Sequence, residues 1–379
     1  MILKCYIKCD TCSETLIVRI QVFSNEKFEF QCPNCKEDLS LELEISQELI
    51  NIKPIKNCNI SNSHDSKFNA MYLSNKILTS NNIANSPLSP AVLYAYQIDS
   101  DNIKFVEHDL DKLWQLLHRA FKQKKLNNID LYNKIIDEYN KILCVKFNSY
   151  EEYLFNFITA NLGDNYYRKL EKVFEIISNL DRIKLKGLCR YIKSEMDTML
   201  PRIDLLMNKY YELFDINYKF IVYIISDKKY DVKDFNFTDS QFDKIDMLYG
   251  NLFELLADLL LVNACINNIQ NGRNYNEFEH KEYTLEKYKD NTKANKSTPF
   301  KNNKYLYAFC EEFDSQIRNG SHHLKMIYNK NINQIEYESN NSKKSIDIKT
   351  YLLKSNILYF NTACLIAIWL NIYYIDNML

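Results

Sequence analysis

Glycine and proline are scarce in this chain, five and six among 379 residues. Turn-dense all-β architectures need both at their chain reversals, so this shortage excludes them and favours long helices. An excess of one charge is also missing, with 48 Lys and Arg against 49 Asp and Glu. Without a global basic field, any contact with a nucleic acid has to come from a local patch. Gly-rich phosphate loops, His-x-x-x-His pairs and carboxylate pairs at helical spacing with a histidine are absent as well. Nucleotide hydrolysis and helix-borne zinc catalysis therefore lose their usual signatures. Met1-Ile2-Leu3-Lys4-Cys5 runs straight into a cysteine motif. That leaves no room for an apolar signal segment and predicts a cytoplasmic protein.

What is present is enough apolar material for a sizeable core, at 46% hydrophobic residues, and a length that fits roughly two or three domains. Cys9-Asp10-Thr11-Cys12 and Cys32-Pro33-Asn34-Cys35 are two CxxC knuckles at the spacing of a zinc ribbon. Four thiolates around one zinc ion leave no open position for water, so Cys9, Cys12, Cys32 and Cys35 predict a structural Zn2+ site. The ribbon could receive a protein or a nucleic acid as a trigger. Thr15–Phe23, Lys27–Phe30 and Leu39–Glu44 alternate like strands and predict a three-stranded ribbon. The other seven cysteines read as reduced core thiols.

Serine, asparagine and proline clusters between about Ile45 and Asp101 predict an irregular connector. From His108 a helical period takes over, first through Leu110, Leu113, Leu116, Leu117 and Phe121, then through Leu131, Ile135, Ile136, Tyr139 and Ile142. Pro201 is expected to break or kink the later helices. The most apolar window, Ile357 to Ile375, is interrupted by Asn361 and Asn371. It predicts a buried bundle helix rather than a membrane span. The expected fold class is mainly α: a β zinc ribbon at 1–48, a connector at 49–106, a helical domain at 107–200 and a helical bundle with a small β-hairpin at 201–379.

The chemistry concentrates in Gln316-Ile317-Arg318-Asn319-Gly320-Ser321-His322-His323. Imidazoles supply a proton acceptor and donor, and a guanidinium supplies a cation for phosphorane charge, which is what a ribose 2′-hydroxyl needs to cleave its own phosphodiester without a metal. Arg318 is expected to end an amphipathic helix with the stripe Leu306, Phe309, Phe313 and Ile317. Leu324–Tyr328 and Gln334–Tyr337 then form a hairpin with an asparagine-rich turn, and Lys349 to Ile375 a closing helix.

In that order of elements the chain resembles the HEPN family of helical-bundle nucleases. The resemblance implies an Arg-x4-6-His motif at a helix end, a homodimer formed through the C-terminal helical domain, and a composite site that cuts RNA without metal. It assigns catalytic roles to Arg318, Asn319 and His323, with His322 as the rival imidazole. It further implies a toxin or antiphage effector acting on an RNA substrate.

Spacing alone is a weak guide, because chance supplies about 0.4 such Arg-to-His matches in a chain of this composition. Arg273 to His280 is a second one. On an ideal helix Arg318 and His323 stand about 140° apart, so Gly320 is expected to let the backbone leave helical geometry, or a second protomer to complete the site. His322 would share a face with Arg318 and Glu311. A capping arrangement competes with catalysis: Arg318 paired with Asp314, and histidines favoured at a helix C-terminus. Seven lysines between Lys281 and Lys304, interspersed with Tyr283, Tyr288 and Phe300, read as a flexible basic strip for single-stranded RNA. The rival to the enzyme is a binding or regulatory module on a dimerising helical scaffold.

Overall fold

The computed structural model describes residues 2–22, 25–46, 50–74, 110–225, 238–280, 282–322, 326–339 and 342–375. The chain divides into two compact units, each assembled from three separate stretches. One is residues 1–101, 215–246 and 323–353; the other is 102–214, 247–322 and 354–379.

The first unit opens with two hairpins built alike. Ile2–Cys9 (β1) pairs with Thr15–Gln21 (β2), and Glu26–Gln31 (β3) pairs with Asp38–Ile45 (β4), each antiparallel and each closed by a CxxC knuckle. Ile50–Lys56 (β5) adds to β4, Cys58–Ile60 (β6) pairs with β1, and Met71–Leu73 (β7) pairs in parallel with β2. Two sheets result, in the orders β6-β1-β2-β7 and β3-β4-β5, instead of one three-stranded ribbon. Strand β1 escapes a reading by apolar alternation because its inward positions include Cys5 and Cys9 beside Ile7. Those thiols pack with Leu16, Val18, Ile20, Phe28, Phe30 and Leu41 in one core. Strands β5 to β7 fall in the stretch expected as a connector. The Ser-Asn and Ser-Pro clusters after Ser74 lie outside the described residues.

The second unit is helical. Leu110–Lys125 (α1), Ile129–Leu143 (α2), Tyr150–Ala160 (α3), Gly163–Ser178 (α4) and Arg182–Glu212 (α5) follow one another. Helix α5 runs through Pro201 without interruption, so the boundary expected there falls inside one helix. Met196, Met199, Leu200, Ile203, Leu206 and Met207 are buried on both sides of the proline. Tertiary packing outweighs the missing N–H at this position.

Phe214–Ile225 (α6), from Asp215 onward, and Asp239–Ile245 (α7) belong to the first unit; α7 starts at a capping box in which Thr238 and Gln241 satisfy each other's backbone N–H. Leu248–Leu259 (α8) and Leu261–Gln270 (α9) return to the second unit, and every residue from Leu261 to Ile269 is buried. Among the described residues, two helical stretches are long and apolar enough to cross a membrane, the α7–α9 run Gln241–Gln270 and Ile348–Ile375, and they bury 89% and 78% of their most apolar windows. That accords with bundle cores rather than lipid-facing spans.

Helix α9 carries three buried asparagines, and each donates to the segment that wraps round it. Asn263 Nδ2 reaches the Leu306 carbonyl at 2.9 Å, Asn267 Nδ2 the Pro299 carbonyl at 3.0 Å and Asn268 Nδ2 the Tyr275 carbonyl at 3.0 Å. That segment holds only short elements, Leu285–Asp290 (α10), Lys304–Tyr307 (α11) and brief 3-10 turns, before Ser315–His322 (α12). It is ordered, not a flexible strip: Tyr288 and Phe300 are core residues. Lys296 Nζ, also buried, donates to the Tyr288 and Lys289 carbonyls at 2.5 and 2.8 Å, where α10 runs out of N–H donors. Lys281 lies outside the described residues.

Ile327–Asn329 (β8), Gln334–Ser339 (β9) and Ser342–Asp347 (β10) then form an antiparallel sheet, the expected hairpin plus a third strand. Ile348–Ile375 (α13) follows the sheet. Within the second unit its Tyr359 ring stacks on Tyr210 of α5 with centroids 3.5 Å apart, and Trp369 Nε1 donates to the Leu259 carbonyl at the α8–α9 junction at 2.9 Å.

Because Asn263 is fully buried and holds an otherwise internal carbonyl, Asn263→Ala should lower stability by about 1–3 kcal/mol. Urea denaturation measures it, and an unchanged midpoint would remove the amide from the account.

Candidate metal centre and Arg318 site

Each knuckle is set by the same two backbone hydrogen bonds. Ser13 N donates to Cys9 O at 2.9 Å and Cys9 N to Glu14 O at 3.0 Å; Lys36 N donates to Cys32 O at 2.9 Å and Cys32 N to Glu37 O at 2.8 Å. Ser13 and Lys36 take positive φ, 60° and 61°, to make the turns. The four Sγ atoms all lie within 4.8 Å of one another, with Cys9 to Cys35 at 3.7 Å and Cys12 to Cys32 at 3.6 Å. Tetrahedral thiolates at the usual metal–sulfur length of about 2.3 Å stand about 3.8 Å apart, whereas a disulfide needs about 2.05 Å. The donor set fits a metal ion.

Burial pushes the Cys9 thiol up and carries Cys32 to about 12. At Cys12 burial is outweighed by hydrogen bonds from the Glu14 backbone and the Asn34 side chain, which bring it down to about 7. Cys58 faces Cys9 across β1 and β6, but its Sγ donates to the Ser40 carbonyl at 3.5 Å. It stands outside the four-thiol cluster.

Arg318 sits on α12, but not at the end of a long amphipathic helix. The chain leaves helical geometry at Glu311, which is extended, and at Glu312, with φ 60°. The break is satisfied internally. Tyr249 OH donates to the Glu312 carbonyl and accepts from Asp314 N at 2.9 Å, and Asn361 Nδ2 donates to the Glu311 carbonyl at 3.0 Å. Glu311 is therefore outside the helix that carries His322, and the face expected to join them does not form.

The expected Arg318–Asp314 pair is also replaced. Asp314 Oδ1 instead accepts from Gln316 N at 2.7 Å at the start of α12. Arg318 turns to α8, where Nε and Nη2 lie 2.7 and 2.5 Å from Glu254 Oε1, while Nη1 donates to Asn319 Oδ1 at 2.9 Å. Gly320 stays helical and buried, and the helix continues to His322. The departure expected at Gly320 does not occur, because α12 packs on α8 there: Ser321 Oγ accepts from Gly250 N at 3.3 Å and caps a helix whose own Met247 gives no side-chain cap. The His322 side chain and all of His323 lie outside the described residues.

Glu254 belongs to a ladder of alternating charge. Lys293 lies 3.8 Å from Glu254 and pairs more closely with Asp258 one turn along α8, and Arg202 of α5 pairs with Asp258 in turn. Burial tends to raise the Asp258 carboxyl, but Lys293 and Arg202 overcome it and hold it below its ordinary value. Three cations to two carboxylates leave the ladder one positive charge in excess.

Sequence reasoning missed a second titratable pair. His118 Nδ1 of α1 lies 2.9 Å from both carboxylate oxygens of Asp204 on α5, with both side chains almost wholly buried. Burial raises the Asp204 carboxyl against the opposing pull of His118. Trp114 stacks beside the imidazole, inside the bundle. Partners this far apart in sequence leave no local signal; only the shared apolar faces of α1 and α5 hinted at it.

Comparison with known protein families, characterised proteins and solved structures finds no match to this chain.

The thiol geometry predicts about one metal ion per chain, lost in Cys9→Ser or Cys32→Ser and kept in Cys58→Ser. Elemental analysis of purified protein decides it. A folded, metal-free wild type, or full retention in Cys9→Ser, contradicts the site.

Proposed function

We propose that this protein is a metal-independent endoribonuclease of the HEPN type, with Arg318 as the cation of its active site. The observation that carries the reading is the state of that guanidinium. Nε and Nη2 are held by Glu254 and Nη1 by Asn319, which leaves one hydrogen each on Nη1 and Nη2 for an incoming phosphate. Glu254 fixes the orientation, and the charge excess of the ladder favours an anion at its open end.

In this assignment the ribose 2′-hydroxyl attacks the neighbouring phosphorus. One imidazole takes its proton, Arg318 carries charge on the phosphorane, and a second proton donor releases the 5′-oxygen. His323 and His322 are the candidate acid and base, and Asn319 aids Arg318. The unbroken helix through Gly320 supports a dimeric site, in which the partner supplies the complementary imidazole.

We assign zinc, in a structural role, to the four-cysteine centre, a choice that its soft thiolate ligands support. The seven cysteines outside that centre form no disulfide, which fits a reducing cytoplasm. By analogy with the resembled family, the biological role is that of a toxin or antiphage effector that arrests growth by cutting RNA.

The second reading is a non-catalytic binding or regulatory module. The observation favouring it is the ladder itself, in which Arg318 already has an anionic partner and could be purely structural.

Total RNA incubated with the protein in magnesium-free buffer separates the two. Wild type should cleave, Arg318→Ala should lose at least about a hundred-fold, and Asn319→Ala should be weaker than wild type. Replacing His322 and His323 singly identifies the working imidazole. Equal cleavage by wild type and Arg318→Ala, or none by wild type, rejects the enzyme.

A further inference from the structure

The outward face of the first hairpin is unlike a plain solvated strand. Ile7, Cys9, Leu16, Val18 and Ile20 point into the core, so the alternate positions of β1, namely Lys4, Tyr6 and Lys8, form the opposite face. Arg19 stands directly across from Lys4, Ile17 across from Tyr6 and Asn59 across from Lys8. Lys4, Lys8 and Arg19 thus share one face of the hairpin with Tyr6. The carboxylates at the end of the face are engaged: Asp10 accepts from Asn59 Nδ2 at 2.7 Å, and Glu14 pairs with Lys67 at 2.5 Å.

The ring is held ready rather than buried. Lys4 Nζ lies 5.1 Å from the centre of the half-buried Tyr6 ring, and the exposed His64 meets that ring at right angles, 87°, with centroids 4.6 Å apart. A right-angled pair leaves ring faces open that a parallel stack would hide, and lysines on the same face can supply phosphate contacts beside them.

We propose that this face, formed by Lys4, Tyr6, Lys8 and His64, binds single-stranded nucleic acid by stacking on the Tyr6–His64 pair and by phosphate contact with the two lysines. A protein partner fits less well, because such interfaces centre on buried apolar anchors, and here Tyr6 and Ile17 stand on a face that also carries Lys4, Lys8 and Arg19. The site shares no residue with the α12 chemistry and stands whether or not that chemistry is correct. It gives the metal centre a purpose: the knuckles fix the strand ends, and thereby the spacing of these side chains.

Fluorescence anisotropy with labelled oligo(dT) tests the proposal on the full chain. DNA has no 2′-hydroxyl, so the cleavage chemistry is silent in the measurement. Wild type should bind saturably at low salt, and Lys4→Glu/Lys8→Glu and Tyr6→Ala/His64→Ala should each weaken binding about ten-fold with unchanged metal content. Removing two phosphate contacts should also flatten the logarithmic salt dependence by about 1.4. Absence of wild-type binding, or wild-type affinity in both double variants, would overturn the site.

Discussion

Much of the helical unit depends on primary amides buried against backbone carbonyls. A long irregular segment between α9 and α12 has few helical or sheet partners for its own peptide groups, and buried peptides without partners are costly. Asn263, Asn267 and Asn268 on α9 and Asn361 on α13 supply the missing donors at Leu306, Pro299, Tyr275 and Glu311. Apolar side chains could have filled the same space, but they could not have fixed where this segment turns. The turn at Glu311 and Glu312 starts α12 at Ser315, and the start of α12 points Arg318 at Glu254.

Electrostatics then refine what packing has placed. A half-exposed arginine beside a carboxylate contributes little to stability when it stands alone. Here the pair is one rung in a ladder along α8, where Glu254 and Asp258 alternate with Arg318, Lys293 and Arg202. Such a ladder restricts the guanidinium to one direction and keeps a surplus cation at the site. Preorganisation of that kind is what phosphoryl chemistry asks of a protein, since the fixed charge need not reorganise as the transition state forms.

The sequence disclosed features whose signal is local. Two CxxC pairs announced the thiol cluster, apolar periodicity announced α1, α2 and α13, and the Asn-rich turn announced β8 and β9. Features that depend on distant partners were hidden. Pro201 read as a break because its local penalty is visible and the packing of α5 is not. Leu306, Phe309, Phe313 and Ile317 read as one helical stripe, and all four do pack inward, yet Tyr249 and Asn361 hold a turn in their midst. Asp314 looked like the partner of Arg318 because it is four residues away; Glu254, 64 residues earlier in the chain, could not be seen. The lysines between α9 and α12 suggested a loose strip, whereas Lys296, Lys293 and Lys289 serve as a cap and two ion-pair partners.

Cleavage through a 2′-hydroxyl is the central claim, and substrate chemistry tests it most directly. A short RNA cut at a mapped position is compared with the same strand carrying a single 2′-deoxy sugar 5′ to the scissile phosphate, in magnesium-free buffer. The account predicts a 2′,3′-cyclic phosphate and a 5′-hydroxyl from the first, and no cut at that position in the second. Cleavage of the deoxy-substituted strand at the same bond, or products ending in a 3′-hydroxyl, would contradict it.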